Sequence, residues 1–307
     1  MKHLLCLNDW TSEEILAVLD LADKLKYENK NKIAHDHHLK GKTLGMIFSK
    51  SSTRTRVSFE VGMHQLGGYA LFLSSSDIQI GRGETVHDTA KTLSRYLDGI
   101  MIRTFMQKDV EDLAVYGNIP IINGLTDELH PCQILADLMT IREKKGTLKG
   151  LKVCYVGDGN NIAHSLLIGC AKTQTNISIA TPKEYLCMQK YIDIAMGIAS
   201  ETGSNIEILT DPKQAIKDAD VVYTDTWASM GMEDEKEQRA IIFAPYQVNE
   251  ELFSLAKQNA IFMHCLPAYR GFEVDKAIID GPNSVVFDEA ENRLHAQKAV
   301  MVKLLSD

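Results

Sequence analysis

Residues 43–56, TLGMIFSKSSTRTR, join a short apolar run to a turn rich in hydroxyl groups and arginine. The run 43–49 is short, apolar and glycine-bounded, which is typical of a buried strand. The hydroxyl-rich segment that follows predicts a helix beginning near Thr53. This strand-turn-helix unit is the repeating element of a parallel sheet that is covered by helices.

The same unit recurs along the chain. In the first half, the strands predicted next are 69–73, 99–103 and 119–123, and the helices that follow them are 86–96, 110–116 and 132–144. After the polar segment 143–150, a second series of strands is predicted at 152–157, 177–180, 207–209, 221–224, 261–264 and 285–287. Amphipathic helices are predicted at 11–26 and 292–305. The alternation predicts two α/β domains with parallel sheets, 1–146 and 147–290.

Composition limits the class of protein. A chain of 307 residues with 45% hydrophobic content can fill two ordinary cores. Its net charge of −8 argues against a nucleic-acid-binding protein. No stretch approaches the roughly 18 apolar residues of a membrane span, and the acidic opening is unlike a targeting peptide, so we expect a cytoplasmic protein. The six cysteines form no C-x-x-C pair, which indicates neither a zinc site nor a disulfide framework.

The turn after the first predicted strand has the chemistry of a phosphate-binding site. Backbone N–H groups and the positive end of the helix dipole would face Ser52, Thr53 and Thr55, whose hydroxyls add donors. Arg54 can bind oxygens through its forked guanidinium. The alternative is an ordinary serine N-cap flanked by surface arginines.

Further polar residues follow the ends of other predicted strands, where ligands of parallel sheets bind. Arg103 ends one strand, and His130 and Gln133 lie three apart at the start of a helix. Asn161 closes the turn Gly157-Asp-Gly-Asn-Asn, in which Ile162 replaces the third glycine of a dinucleotide-binding motif. Asp225 and Cys265 each follow a strand in the second half. Taken singly, a structural cap, turn or buried cysteine would explain each of them.

In this order and spacing, these motifs resemble the carbamoyltransferase family, and within it the ornithine-type enzymes, over nearly the whole chain. The motifs of the first half of the chain, around Ser52, Arg103 and His130, resemble the family's carbamoyl-phosphate site. Asp225 with Ser229-Met-Gly231 and His264-Cys-Leu-Pro267 resemble the ornithine-type second site. Aspartate-type members differ at the amino-acid loop, which disfavours aspartate as the substrate.

The resemblance implies two doubly wound domains, with a last helix, about 291–307, that packs back on the first. It implies carbamoyl transfer from carbamoyl phosphate to L-ornithine, with no cofactor and no metal, in a homotrimer or a multiple of trimers whose active sites lie at subunit borders. The implied catalytic residues are Arg103, His130, Asp225 and Cys265. The implied carbamoyl-phosphate ligands are Ser52, Thr53, Arg54, Thr55, Gln79 from a neighbouring subunit, Arg103, His130, Gln133, Cys265, Leu266 and Arg293. The implied ornithine ligands are Asn161, Asp225, Ser229 and Met230.

Three alternatives stay open at this point. Putrescine or an acylated ornithine would differ from ornithine only at the second-site loop. A nicotinamide-dependent dehydrogenase would need the glycine that Ile162 replaces. A non-catalytic metabolite-binding protein could keep the phosphate-binding turn but would have no need for His130 or Cys265. The direction of the reaction in the cell is not fixed by the sequence, because both directions use one site.

Overall fold

A computed structural model describes residues 2–80, 83–228 and 233–306. The chain divides into two compact units, the first formed by Met1–Met139 with Glu291–Asp307 and the second by Thr140–Ala290. Each unit contains one sheet.

The first unit is built on a four-stranded parallel sheet. Its strands are β1 (Thr43–Phe48), β2 (Tyr69–Ser74), β3 (Gly99–Arg103) and β4 (Ile121–Leu125), in the order β2-β1-β3-β4. Its helices are α1 (Ser12–Lys30), α2 (Thr53–Gln65), α3 (Val86–Leu93), α4 (Gln107–Tyr116) and the first part of α5 (Pro131–Lys145). Helix α1 begins with a capping box, in which the Thr11 hydroxyl accepts from the Glu14 N–H and the Glu14 carboxylate accepts from the Thr11 N–H.

The second unit is built on a five-stranded parallel sheet. Its strands are β5 (Lys152–Val156), β6 (Asn176–Ala180), β7 (Ile206–Leu209), β8 (Val221–Thr224) and β9 (Ile261–Met263), in the order β7-β6-β5-β8-β9. Its helices are α6 (Asn161–Lys172), α7 (Gln189–Thr202), α8 (Pro212–Ile216), α9 (Lys236–Phe243), α10 (Glu250–Phe253) and α11 (Lys276–Ile279). The two sheets confirm the predicted fold class of two doubly wound parallel-sheet domains.

Each sheet has a topological switch point where ligands of doubly wound folds bind. In the first sheet the strand order reverses between β1 and β3. Just beyond these strands, the Ser49 N–H donates to the Arg103 carbonyl at 2.8 Å. In the second sheet it reverses between β5 and β8, whose last residues Val156 and Thr224 are in register. The polar turns singled out in the sequence therefore follow the strands at both switch points.

The C-terminal helix α12 (Val286–Leu305) packs on the first unit over its part from Glu291 onward, as expected. Lys26 of α1 donates to the Asn292 side chain at 2.8 Å, and Lys298 donates to Gln65 of α2 at 3.0 Å. The predicted strand at 285–287 is wrong. Only a single bridge joins Ser284 to Phe262, and the segment continues as helix from Val286. So short an apolar run fits a helix or a strand, and its pattern alone could not separate the two. In the structure Val285 and Val286 are buried, whereas Phe287 is exposed.

Across the described part of the chain, no helix is both long enough and apolar enough to cross a membrane. None of the six cysteines, all of which lie within the described residues, forms a disulfide bond.

Candidate active site

The turn between β1 and α2 places the predicted phosphate-binding hydroxyls at a helix N-terminus. Ser52 is the N-cap, and its hydroxyl accepts from the Thr55 N–H at 3.2 Å. Thr55 is buried, Ser52 and Arg54 are half-buried, and Thr53 is exposed. The capping role and the phosphate-binding role are compatible, because the cap engages one first-turn N–H, that of Thr55, and the other first-turn N–H groups and the helix dipole are directed at the same place.

Arg103 is the last residue of β3, and His130 directly precedes α5. Both are nearly fully buried, with exposed fractions of 7% and 5%. Burial holds the pKa of the His130 imidazole well below its ordinary value of 6.5, and the positive charges of Arg293, Arg103 and Arg54 lower it further. His130 is therefore a neutral imidazole at pH 7, able to donate a hydrogen bond without adding a charge.

Gln133 and Arg293 meet in the first unit. Arg293 Nη1 donates to Gln133 Oε1, and its Nη2 donates to Thr55 Oγ1 at 3.2 Å. Gln133 Nε2 donates to Asp137 at 2.8 Å. The structure thus joins Arg293 of α12 to Thr55 of α2 and Gln133 of α5, three positions that are distant in sequence.

Lys50 is a residue of this region that the sequence interpretation missed. Its ammonium pairs with the carboxylate of Asp127 and lies 4.2 Å from the centroid of the Phe105 ring. Phe105 lies two residues after Arg103, and Asp127 three residues before His130. Lys50 therefore ties together the loops that follow β1, β3 and β4, the three loops that carry the predicted ligands.

In the second unit, Asp225 follows β8 and is buried among polar partners. Its Oδ1 accepts from the Cys265 thiol at 3.1 Å, and its Oδ2 accepts from Asn160 Nδ2 at 2.9 Å. Cys265 follows the adjacent strand β9, and Asn160 follows β5. The carboxylate is fixed in orientation from both sides by these two contacts.

Asn160 is the residue of the asparagine turn that contacts Asp225, and its neighbour Asn161 is the one predicted to bind ornithine. Asn160 is also the N-cap of α6, because its Oδ1 accepts from the N–H groups of Ile162 and Ala163 at 2.9 and 3.2 Å. Asn161 is the first helical residue and is half-buried. The missed signal was the capping position, which directs the side chain of Asn160 rather than that of its neighbour.

A buried ion pair supports the same turn. Arg239 of α9 donates to Asp158 Oδ2 and to the Trp227 carbonyl, both at 2.9 Å, and to Glu235 at 2.8 Å. Its guanidinium lies 4.7 Å from the Tyr185 ring centroid. Burial raises the pKa of the Asp158 carboxyl to about 6, and the neighbouring Arg239 opposes that rise. Arg239 therefore connects the asparagine turn with the segment that begins at Asp225.

His264 is fully buried and has a structural role. Its Nδ1 accepts from the Leu266 N–H at 2.9 Å, so that Nε2 carries the proton and lies 3.2 Å from Glu273 Oε1. Asp225, His264 and Cys265 each place one ligand-type atom within 4.8 Å of the others. Because both ring nitrogens of His264 are already engaged, we assign no metal to this trio.

The remaining predicted residues lie in different surroundings. Leu266 has a left-handed backbone, φ +56°, and its side chain packs against the apolar core of the second unit. Gln79 is exposed and follows β2. Ser229 and Met230 lie outside the described residues.

Comparisons with known proteins match the chain along both units. Residues 2–143 match the family model described as aspartate/ornithine carbamoyltransferase, carbamoyl-P binding domain, and residues 149–304 match the Asp/Orn binding domain. The chain is 60% identical over 302 residues to an ornithine carbamoyltransferase of Caldicellulosiruptor saccharolyticus, covering 98% of each chain. It is 57% identical over 305 residues to a Pyrococcus furiosus protein named ornithine carbamoyltransferase, anabolic, covering 99% of this chain and 96% of that one.

A solved structure agrees with this assignment. The ornithine carbamoyltransferase from Pyrococcus furiosus superimposes with a TM-score of 0.96 at 57% identity, covering 99% of this chain and 97% of that chain. Matched by both domain models and by relatives of this similarity, the chain belongs to the aspartate/ornithine carbamoyltransferase family.

Proposed function

We propose that this protein transfers the carbamoyl group of carbamoyl phosphate to the side-chain amine of L-ornithine, giving L-citrulline and phosphate. The observation that carries the proposal is Asp225, a buried carboxylate oriented by Asn160 and Cys265 at the switch point of the second sheet. A carboxylate in this position suits a cationic amine substrate, which agrees with the names of the relatives.

The first unit supplies the groups for carbamoyl phosphate. The N-terminus of α2 with Ser52, Thr53, Arg54 and Thr55 binds the phosphate oxygens. Arg103, His130 and Gln133 bind the carbamoyl group, and Arg293 supports this end of the substrate. In this proposal, Cys265 and Leu266 of the second unit and Gln79 of a neighbouring subunit complete the ligand set.

The second unit supplies the groups for ornithine. Asp225 orients the side-chain amine with Cys265 beside it. Asn161, Ser229 and Met230 bind the amino-acid end. Asn160 acts through Asp225 and is a positioning residue.

The reaction forms one bond and breaks one. The neutral amine attacks the carbamoyl carbon, a C–N bond forms, and the oxygen of the carbamoyl group gains negative charge. Arg103 and neutral His130 stabilise that charge by hydrogen bonds, which in enzymes of this kind supplies a large part of the rate acceleration. The C–O bond to phosphate then breaks, and the leaving phosphate takes the proton that the attacking nitrogen gives up. This chemistry calls for no metal or cofactor, since the charged and polar side chains perform the polarisation.

The amine must lose its proton before it attacks. An alkyl ammonium has a pKa near the lysine value of about 10.4, so at neutral pH the site has to bind the scarce neutral form or promote deprotonation.

In the cell, the anabolic name of the Pyrococcus furiosus relative favours arginine biosynthesis over the reverse reaction. The substrates are cytoplasmic metabolites by this proposal, and we place the protein in the cytoplasm.

A homotrimer, or a multiple of trimers, is part of the proposal. Strand β2 is at one end of its sheet, and it exposes Tyr69 and Leu71 at 64% and 38%. Val57 and Val61 on α2 are exposed at 50% and 37%. Apolar side chains of this size on a sheet edge and the helix beside it favour contact with another subunit. Light scattering should then give a mass that is a multiple of three times the 34.2 kDa chain.

The test of function is a citrulline assay with purified protein and carbamoyl phosphate. Ornithine, putrescine, aspartate and acetylornithine are supplied in parallel at equal concentration. We expect turnover with ornithine to exceed turnover with each of the other amines. Preferential use of putrescine or acetylornithine would reassign the substrate, and an absence of turnover with every amine would contradict the proposal. Binding of a nicotinamide nucleotide in place of carbamoyl phosphate would favour a dehydrogenase.

A further inference from the structure

Three uncharged side chains, those of Gln133, Thr55 and Gln297, contact the guanidinium of Arg293. Its Nη1 donates to Gln133 Oε1 and its Nη2 to Thr55 Oγ1. On its own helix, one turn further on, Gln297 faces it, with one amide atom 2.8 Å from Nη2 and 3.0 Å from Nε. Arg293 has an exposed fraction of 3% and Gln297 of 0%, so this arrangement is fixed by packing as well as by hydrogen bonds.

Hydrogen-bond chemistry decides which amide atom of Gln297 faces Arg293. A guanidinium has donors only, so the atom 2.8 and 3.0 Å from it must be the amide oxygen. The amide nitrogen then points the other way and donates to the Ser58 hydroxyl. Ser58 Oγ in turn donates to the Arg54 carbonyl at 2.6 Å. Gln297 thus joins Arg293 to the first turn of α2, the turn that carries the proposed phosphate ligands.

Arg239, a buried arginine of the second unit, differs from Arg293 in having carboxylate partners. Arg239 is paired with the carboxylates of Asp158 and Glu235, which offset its charge. The amide of Gln297 accepts from Arg293 at comparable distances but is neutral. An amide can therefore fix a guanidinium without cancelling its charge, whereas a carboxylate in the same place would compete with an anionic ligand.

We propose that Gln297 is a positioning residue for the carbamoyl-phosphate site: it orients Arg293 and the first turn of α2, and as an uncharged amide it leaves the positive charge of Arg293 acting on the substrate. The inference rests on the proposed function, because it assigns Gln297 to the binding of that anion. Gln297 itself acts through Arg293 and Ser58.

Two substitutions separate orientation from charge. Gln297→Ala removes the acceptor for Arg293 and the donor to Ser58. Gln297→Glu nearly preserves the shape and the acceptor for Arg293, but it adds a negative charge and removes the donor to Ser58. The matched control is Lys298→Met, which removes the contacts of the next buried residue of α12 with Gln65 and His35 but leaves the side chains of Gln133, Thr55 and Gln297 beside Arg293 unchanged.

The measurements are steady-state kinetics for both substrates, calorimetric binding of inorganic phosphate, and the Tm of each variant. We expect both Gln297 variants to raise KM for carbamoyl phosphate and to weaken phosphate binding by about tenfold or more, which is the loss of one charge-assisted contact. KM for ornithine should stay within about twofold, because these contacts lie within the carbamoyl-phosphate domain. Lys298→Met should keep the wild-type KM for carbamoyl phosphate whatever its Tm.

Each contrary result has a defined meaning. If Gln297→Glu binds phosphate like the wild type, the neutrality of the amide is irrelevant and the proposal is overturned. If Lys298→Met raises KM for carbamoyl phosphate as much as Gln297→Ala does, docking of α12 explains the effect and the proposal also fails. Should Gln297→Ala not fold, the near-isosteric Gln297→Glu still tests whether a neutral side chain at this position is needed for phosphate binding. Failure of the wild type to turn over carbamoyl phosphate would instead refute the proposed function.

Discussion

The thiol of Cys265 donates a hydrogen bond to Oδ1 of Asp225, with 3.1 Å between sulfur and oxygen. The two residues follow the adjacent parallel strands β9 and β8, so the sheet itself brings them together. Asn160 binds the other carboxylate oxygen at 2.9 Å. The carboxylate that we assign to ornithine is therefore held before any substrate arrives.

Asp225→Asn should impair the use of ornithine far more than the binding of carbamoyl phosphate. The amide keeps the shape of the side chain but loses the charge that attracts the substrate amine. Loss of a charge-assisted hydrogen bond predicts an increase of about 10- to 100-fold in KM for ornithine, or an equivalent loss in kcat/KM. Phosphate binding measured by calorimetry serves as the control and should change little. Unchanged ornithine kinetics would remove Asp225 from the site.

Arg54→Ala should weaken the binding of carbamoyl phosphate by about 1.5–3 kcal/mol, the contribution of a charge-assisted hydrogen bond. The matched control is Arg56→Ala on the same helix. The Arg56 guanidinium pairs with Glu60 at 3.1 Å and lies 3.8 Å from the Phe72 ring centroid, on the exposed side of α2. Equal effects of the two substitutions on KM for carbamoyl phosphate would mean that general positive charge, and not the turn, binds the anion.

The positions of the candidate site motifs could be predicted from the sequence, because the end of a buried strand is marked by the change from apolar to polar residues. Apolar runs followed by polar turns located Ser52, Arg103, Asp225 and Cys265, and the parallel order then placed them at two switch points. Contacts made by residues distant in sequence could not be predicted in this way. The link from Gln297 through Arg293 to Thr55 depends on how α12 packs on the first unit, and no periodicity shows that.

The one wrong prediction and the two residues that the sequence interpretation missed have local causes. The segment 285–287 is apolar in either conformation, and a single bridge to Phe262 is all that remains of the predicted strand. Asn160 was not singled out beside Asn161 because composition does not show which of two asparagines caps the helix. Lys50 was not singled out because its partners, Asp127 and Phe105, lie in two other loops.

His130 should stay neutral throughout the working pH range, because burial and three nearby arginines lower its pKa well below 6.5. Replacement by another neutral donor should then be tolerated better than loss of the donor. We expect His130→Ala to lower kcat by about 10²–10³-fold, as for the loss of one donor to a developing oxyanion, and His130→Gln to lower it less. Titration of the imidazole by NMR provides the direct check. A protonation step near pH 6.5 assigned to His130 would contradict this role.

The ion pair of Asp158 and Arg239 should make ornithine binding sensitive to pH near 6. Burial raises the pKa of Asp158 from 3.8 to about 6, so the carboxylate is charged above that pH and becomes protonated as the pH falls through it. Protonation removes the charge that holds Arg239, which also binds the Trp227 carbonyl two residues after Asp225. The alignment of Asp225 should then loosen, and KM for ornithine should rise.

As the pH falls, protonation of Asp158 weakens ornithine binding but increases the contribution of Asp158 to the stability of the fold. Because the pKa of Asp158 is raised in the folded protein, the folded state binds more protons than the unfolded state between about pH 4 and 6, and the contribution of Asp158 to stability increases as the pH falls. A rise in KM at pH 5.5 therefore cannot come from unfolding driven by this group. Asp158→Asn is the control, since it has no proton to gain. We expect its KM for ornithine to exceed that of the wild type by about tenfold at pH 8, and the two values to converge as the pH falls below 6. Protonation of ornithine affects both proteins equally, so a ratio of KM values that is independent of pH would show that Asp158 does not control the site.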